Sequence, residues 1–131
     1  MPMITKFRPR IPVGMRVFED GVQVAVNNRL KAARNFAKRH KRRIYLNRAT
    51  DHADDPGAIR VIGKSKGWIF EKNECIGYVP TDIAYKLVHT DMEDKVKVRL
   101  DMILIDGKHS IKIHFDIFGP KDDYGKYSSI M

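Results

Sequence analysis

The sequence predicts a small α+β domain, mainly β with two helices. Two runs, 96–105 and 108–118, alternate apolar with polar residues through most of their length (96–102 and 110–117), the pattern of half-buried strands. Two other stretches carry apolar residues at helical spacing: Leu30, Ala33, Phe36 and Ala37, then Ile83, Ala84, Leu87 and Val88. Turn chemistry at Asp55-Pro56-Gly57-Ala58 and at Asp106-Gly107 separates the strand-like runs.

Taken in order, residues 1–20 carry Pro2, Pro9 and Pro12 and read as an extended arm, with at most an edge strand near 15–18. Val22, Val24 and Val26 alternate, which predicts a strand over 21–26. Asn27 or Asn28 can cap a helix running to about His40, with Arg34, Lys38, Arg39 and Lys41 off its apolar stripe. A short strand over 43–48 sets Ile44 and Leu46 against Tyr45 and Asn47. In the Asp55-Pro56-Gly57-Ala58 turn, Pro56 presets φ at the second place and Gly57 accepts a positive φ at the third, the requirement of type II. A strand follows through Ile62; residues 63–67 read as a loop, and 68–70 and 74–78 as further short strands. Pro80 suits the first turn of a helix and Asp82 complements its dipole. Asp106-Gly107 is a two-residue hairpin signal. Folding about it pairs Met102 with Ile111, Leu100 with Ile113, Val98 with Phe115 and Val96 with Ile117. The other face then sets Asp101 against Lys112 and Lys97 against Asp116. Residues 119–131 read as a loosely held tail.

At 131 residues the chain is long enough to bury one core without disulfides or metal. The single Cys75 excludes a disulfide framework and a cysteine-rich zinc site, and fits the reducing cytoplasm. No apolar run approaches the roughly 20 residues of a membrane span. The first ten residues hold Lys6, Arg8 and Arg10 without the apolar stretch of a signal peptide.

The formal charge of +9 is concentrated in one place. No acidic residue falls between Asp20 and Asp51, a window that holds Arg29, Lys31, Arg34, Lys38, Arg39, Lys41, Arg42, Arg43 and Arg48. The other Lys and Arg residues balance the 16 Asp and Glu. A solvated helix face needs no such exclusion of acids, whereas a polyanion-binding surface does.

Arg48, Asp55 and the run Ala58-Ile59-Arg60-Val61, followed by Gly77, Val79, Pro80, Ala84 and Leu87, resemble the two signature segments of the HIRAN domain. Those segments fall here on residues 48–61 and 76–87, and the similarity extends over about 21–118. HIRAN domains occur at the N-terminus of certain chromatin-associated helicases and as free-standing bacterial or phage proteins. The resemblance implies an OB-like small β-barrel with two helices that binds the 3′ end of single-stranded DNA. It sets Asp55 near the terminal nucleotide and Tyr78 at a ligand-contacting position where the helix begins. Where the family usually has tyrosine before that aspartate, this chain has Asp54. Where the family's first strand ends in glycine, a basic residue and aromatics, this chain reads Val26-Asn27-Asn28-Arg29.

Each candidate also has a plainer reading. Asp55 can serve as the first position of its own turn. Arg48 and Arg60 can pair with Asp51, Asp54 and Asp55, although exposed pairs contribute only ~0.2–1 kcal/mol and yield easily to a phosphate. Trp68 and Phe70 among Lys64, Lys66 and Lys72 have the composition of a stacking platform, yet large aromatics usually belong to the core. Tyr78 and Tyr85 share that ambiguity. His52 with Asp51, Asp54 and Asp55 has metal-ligand chemistry but not the spacing of a calcium loop, and His109 and His114 do not converge. Asp106-Gly107-Lys108 resembles the Asp-x-Lys of restriction-type nucleases, but the hairpin turn accounts for it better.

These observations predict a non-catalytic module for single-stranded DNA or DNA 3′ ends, of the kind used in DNA repair and replication. Arg29, Arg34, Lys38, Arg39, Lys41, Arg42, Arg48 and Arg60 are its expected phosphate contacts, and Asp55 and Tyr78 shape its pocket. No cofactor, metal or membrane is expected, and a helicase or nuclease is a candidate partner protein. The alternatives are a protein-interaction module docking acidic partners and, less favoured, a metal-dependent nuclease.

Overall fold

The computed structural model describes residues 3–7, 10–48, 57–67, 69–107 and 110–130. In chain order these form β1 (Met3–Lys6), β2 (Met15–Gln23), α1 (Leu30–Ala37), β3 (His40–Arg48), β4 (Ile59–Lys66), β5 (Glu71–Tyr78), α2 (Thr81–His89), β6 (Lys97–Asp106) and β7 (Ser110–Pro120). A 3-10 turn at Lys121–Asp123 then leads into α3 (Tyr124–Ser128). The protein is mainly β, with two antiparallel sheets in the orders β1-β6-β7-β2 and β3-β4-β5. Among the described residues no helix is long and apolar enough to cross a membrane.

The smaller sheet shows plainly how alternation becomes two faces. Ile59, Val61, Gly63 and Ser65 of β4 turn inward and are buried, while Arg60, Ile62, Lys64 and Lys66 turn outward. Helix α1 covers the inner face. A Cβ at Gly63 would stand 2.7 Å from Cδ1 of the fully buried Phe36, so this glycine lets the helix come down onto the sheet. Residues 63–66, expected as a loop, therefore continue the strand. Helix α1 is shorter than expected, starting at Leu30 with no side-chain cap from Asn27 or Asn28. Its chain turns at once into β3, which already begins at His40.

In the larger sheet the hairpin forms with a different register. Ile105 pairs with Ile111 and Ile103 with Ile113; a bulge at Asp101 then shifts the ladder, so that Leu100 faces Phe115 and Val98 faces Ile117. Three residues, not two, separate the paired Asp106 and Ser110. The physical reason is a phase slip in the apolar pattern of β6. Val96, Val98 and Leu100 occupy even positions while Ile103 and Ile105 occupy odd ones, and one extra residue lets both runs face the core. The charge pairing moves with it: Asp116 meets Arg99 rather than Lys97, with Arg99 Nε 2.8 Å from Oδ2. The other Asp116 oxygen accepts the Gly21 N–H at 2.9 Å, tying down the irregular stretch of β2.

Both ends of the chain take part in packing. Met3–Lys6 of the expected arm pairs with β6 as β1, and β2 begins at Met15. In the expected loose tail, Tyr127 is buried with its ring stacked 5.0 Å from that of Phe18, and its hydroxyl donates to Glu19 Oε2 at 3.3 Å. Burial, reinforced by Glu19, pushes the Tyr127 phenol well above its ordinary pKa.

The two sheets meet where the chain leaves β2. The Val24 N–H donates to Ile113 O at 2.8 Å in the larger sheet. The next residue, Ala25, exchanges both backbone bonds with Tyr78 of the smaller sheet, at 2.8 and 2.9 Å. Among the described residues this isolated bridge joins two separate sheets, and no continuous ladder closes a barrel. Gly77, with φ +154°, makes the approach feasible, because a Cβ there would lie 2.5 Å from Val24 Cγ1 and 2.6 Å from Ala25 O. Gly77→Ala is expected to cost about 3 kcal/mol or more in a urea unfolding titration. Gly125→Ala, which meets open space, should change stability by no more than about 0.5 kcal/mol.

Candidate nucleic-acid interface

Beside the seam lies an open cleft of about 820 Å3. Ala25, Asn27 and Asn28 wall one side, Gly57 and Ala58 another, and Tyr78 through Asp82 with Ala84 and Tyr85 complete it. The local sequence explains the shape. Tyr78 is held by its bridge to Ala25, and the Val79 N–H donates to Ile59 O at 2.9 Å. Pro80 then starts α2, whose first internal bond runs from Ala84 N to Pro80 O at 2.9 Å. The N–H groups of Thr81, Asp82 and Ile83 precede that bond and have no side-chain cap, so the helix presents its positive end to the cleft. Tyr85, 53% exposed, stacks on His89 with centroids 3.8 Å apart. The cleft thus combines two phenol rings, two carboxamides, a helix N-terminus and the carboxylate of Asp82 in its first turn. That set suits a ligand with a flat ring and groups that both donate and accept hydrogen bonds.

Of the residues expected here, Tyr78 lines the cleft and Arg60 is its cross-strand neighbour. Asp55 lies outside the described residues, as do Asp51, His52, Asp54, Trp68, Lys108 and His109. Gly57 and Ala58, just after Asp55, are on the wall. Among the described residues no group of three or more His, Cys, Asp or Glu is placed to hold a metal ion.

The acid-free segment divides into two classes of basic residue. Arg39 Nη1 lies 3.1 Å from Glu74 Oε1, and Arg48 Nη1 lies 2.9 Å from Glu93 Oε1. Arg34 donates to Gly107 O at 3.3 Å. Arg42 donates to Ala37 O at 2.6 Å, closing the last turn of α1, and its guanidinium sits 5.2 Å from the Phe7 ring centroid. Burial lowers the Arg42 pKa from its ordinary value. Arg29, Lys31, Lys38, Lys41 and Arg43 instead face solvent and hold no ion-pair partner among the described residues.

The outer face of the smaller sheet was not singled out by sequence reasoning. Direct cross-strand partners share a face, so Asn47, Arg60 and Tyr78 form one row, Tyr45, Ile62 and Cys75 a second, and Arg43, Lys64 and Asn73 a third. Tyr45 is 43% exposed. The signal was present as strand alternation, but it needed the register of β3 on β4 before the residues could be grouped. Phe70, expected in the core, is 77% exposed beside Ile69 at the turn between β4 and β5. The short connection leaves its side chain no inner face to occupy.

No protein-family model, curated protein or solved structure matches this chain.

The division of basic residues makes a direct prediction for stability. Arg42→Ala removes a charge-assisted bond to a helix-end carbonyl and should cost about 1.5–3 kcal/mol in urea unfolding. Lys41→Ala and Arg43→Ala should each fall within about 0.5 kcal/mol of the parent.

Proposed function

We propose that this protein is a non-catalytic module that binds single-stranded DNA, seating a 3′ end in the cleft at the start of α2. The observation that carries the reading is the cleft itself: Tyr78, Tyr85, Asn27 and Asn28 around an uncapped helix N-terminus, in a chain of charge +9. Aromatic faces stack bases, carboxamides bond their edges, and helix N–H groups donate to a backbone phosphate. The resemblance of residues 48–61 and 76–87 to HIRAN segments supports the same reading, and with it an OB-like arrangement of the strands. We include a cytoplasmic setting on the lone Cys75, and a repair helicase or nuclease as the companion protein.

The phosphate contacts in this proposal are the solvent-facing Arg29, Lys31, Lys38, Lys41 and Arg43, rather than the paired Arg39, Arg42 and Arg48. With about five phosphates contacted, the affinity for oligothymidine should fall with log salt at a slope near −3.5, at ~0.7 per phosphate. Replacing Lys38, Lys41 and Arg43 together with Glu should flatten that slope by about 2. Unchanged binding after this triple reversal would remove the charged surface from the proposal.

The end preference has its own test. On the family resemblance the Asp55 carboxylate receives a free 3′-hydroxyl as a hydrogen-bond donor, whereas a terminal phosphate brings a second charge toward acidic groups, Asp82 on the cleft wall among them. Charge-assisted hydrogen bonds contribute ~1.5–3 kcal/mol, so 3′-phosphorylation should weaken binding at least about tenfold. Asp55→Asn should erase the difference. Equal affinity for the two ends in fluorescence anisotropy would reduce the protein to a general single-strand binder.

A further inference from the structure

The cleft accounts for one end of a ligand, and the fold also offers a route for the rest of it. Tyr78 belongs to both the cleft and the outer face of the β3-β4-β5 sheet. From Tyr78 that face continues along β4 through Arg60, Ile62, Lys64 and Lys66 toward the turn that displays Ile69 and Phe70. Six residues of strand at ~3.3 Å each give a track of about 20 Å. Tyr45, at mid-length, is the exposed aromatic of the face and stands beside Ile62. Arg43 and Lys64 are direct partners in the following row, and Lys66 and Glu71 in the one after.

The charge on this face selects its occupant. Among the described residues its outward positions hold Arg43, Lys64 and Lys66, beside Arg60, against the acid Glu71. The Lys64–Glu71 pair spans 3.7 Å at the surface, a contact that gives way readily to a phosphate. An acid-poor face with an aromatic ring set among cations fits the alternating phosphates and bases of a single strand. A duplex would offer that ring no unstacked base.

We propose that the outer face of the β3-β4-β5 sheet is the track for the polynucleotide strand whose 3′ end occupies the cleft. Tyr45 stacks an internal base, and Arg43 and Lys64 hold the neighbouring phosphates. This inference rests on the function proposed above and adds a path and named contacts to it.

The test uses the full chain and dodecathymidine with either a free or a phosphorylated 3′ end. Tyr45→Ala combined with Lys64→Glu should weaken both oligonucleotides at least about tenfold while leaving the ratio between them unchanged. Tyr45→Phe, which keeps the ring, should bind as the parent does. Lys112→Glu, the same charge change on an exposed position of β7, should weaken binding less than threefold. An oligonucleotide with 5-iodouracil at an internal position should photocrosslink to Tyr45, and one with it at the 3′ terminus should not. Parent-like affinity in the double variant, or a terminal rather than internal crosslink, overturns the track and leaves end capture standing. Loss equal to that in Lys112→Glu overturns it as well, since it would show a net-charge effect only. Absence of oligonucleotide binding by the parent protein overturns both readings.

Discussion

A single peptide step, from Val24 to Ala25, carries the chain from one sheet to the other, and much of the molecule is arranged around it. The N–H of one residue bonds Ile113 and that of the next bonds Tyr78. The two backbones come so close that only a residue without Cβ fits at position 77. Tyr78 is thereby pinned, Val79 ties the start of β4 through Ile59, and Pro80 has little choice about where α2 begins. The cleft walls are the residues on either side of this crossing. Its shape follows from how the sheets are joined, before any side chain is chosen for a ligand.

The arginines and lysines of the basic segment do different work. Arginine's planar fork suits a fixed partner, and here Arg39, Arg42 and Arg48 each hold one: a carboxylate, a helix-end carbonyl and another carboxylate. The solvent-facing positions hold mostly lysines, whose compact charge and mobile stem commit them to no single fixed partner. Arg99 belongs with the internal group. Its partner Asp116, only 5% exposed, holds an irregular segment of β2 with one oxygen and Arg99 with the other. A carboxylate so enclosed is stable in place only while both donors remain.

Elements whose signal is local were legible in the sequence. Helix α2 announced itself through Pro80, Asp82 and its apolar spacing, and β3 and β7 through alternation. The hairpin was legible as a hairpin but not in register. The Asp106-Gly107 pair suggested a two-residue turn, while the phase slip between Leu100 and Ile103, visible in the same strand, was the better guide. Gly63 read as loop because a glycine's packing role depends on a helix that is remote in sequence. The pairing of Met3–Lys6 with β6 and the burial of Tyr127 are long-range events with no local signature. For the site, Tyr78 and the residues after Asp55 could be singled out by motif. Tyr45 could not, because its neighbours Ile62 and Cys75 come from other strands.

The seam has a further consequence, in the order of assembly. The β3-β4-β5 meander and the β6-β7 hairpin close over short stretches of chain, and such contacts form early. The contacts that unite them do not: Gly21 reaches Asp116 across 95 residues, and β1 finds β6 at a similar remove. Closing loops of that length is paid in chain entropy before the long-range contacts return anything, so the union of the sheets comes late. The cleft exists only after that union. A ligand seated in it recognises the assembled molecule and neither sheet alone, and its binding energy is added to the cohesion of the whole chain.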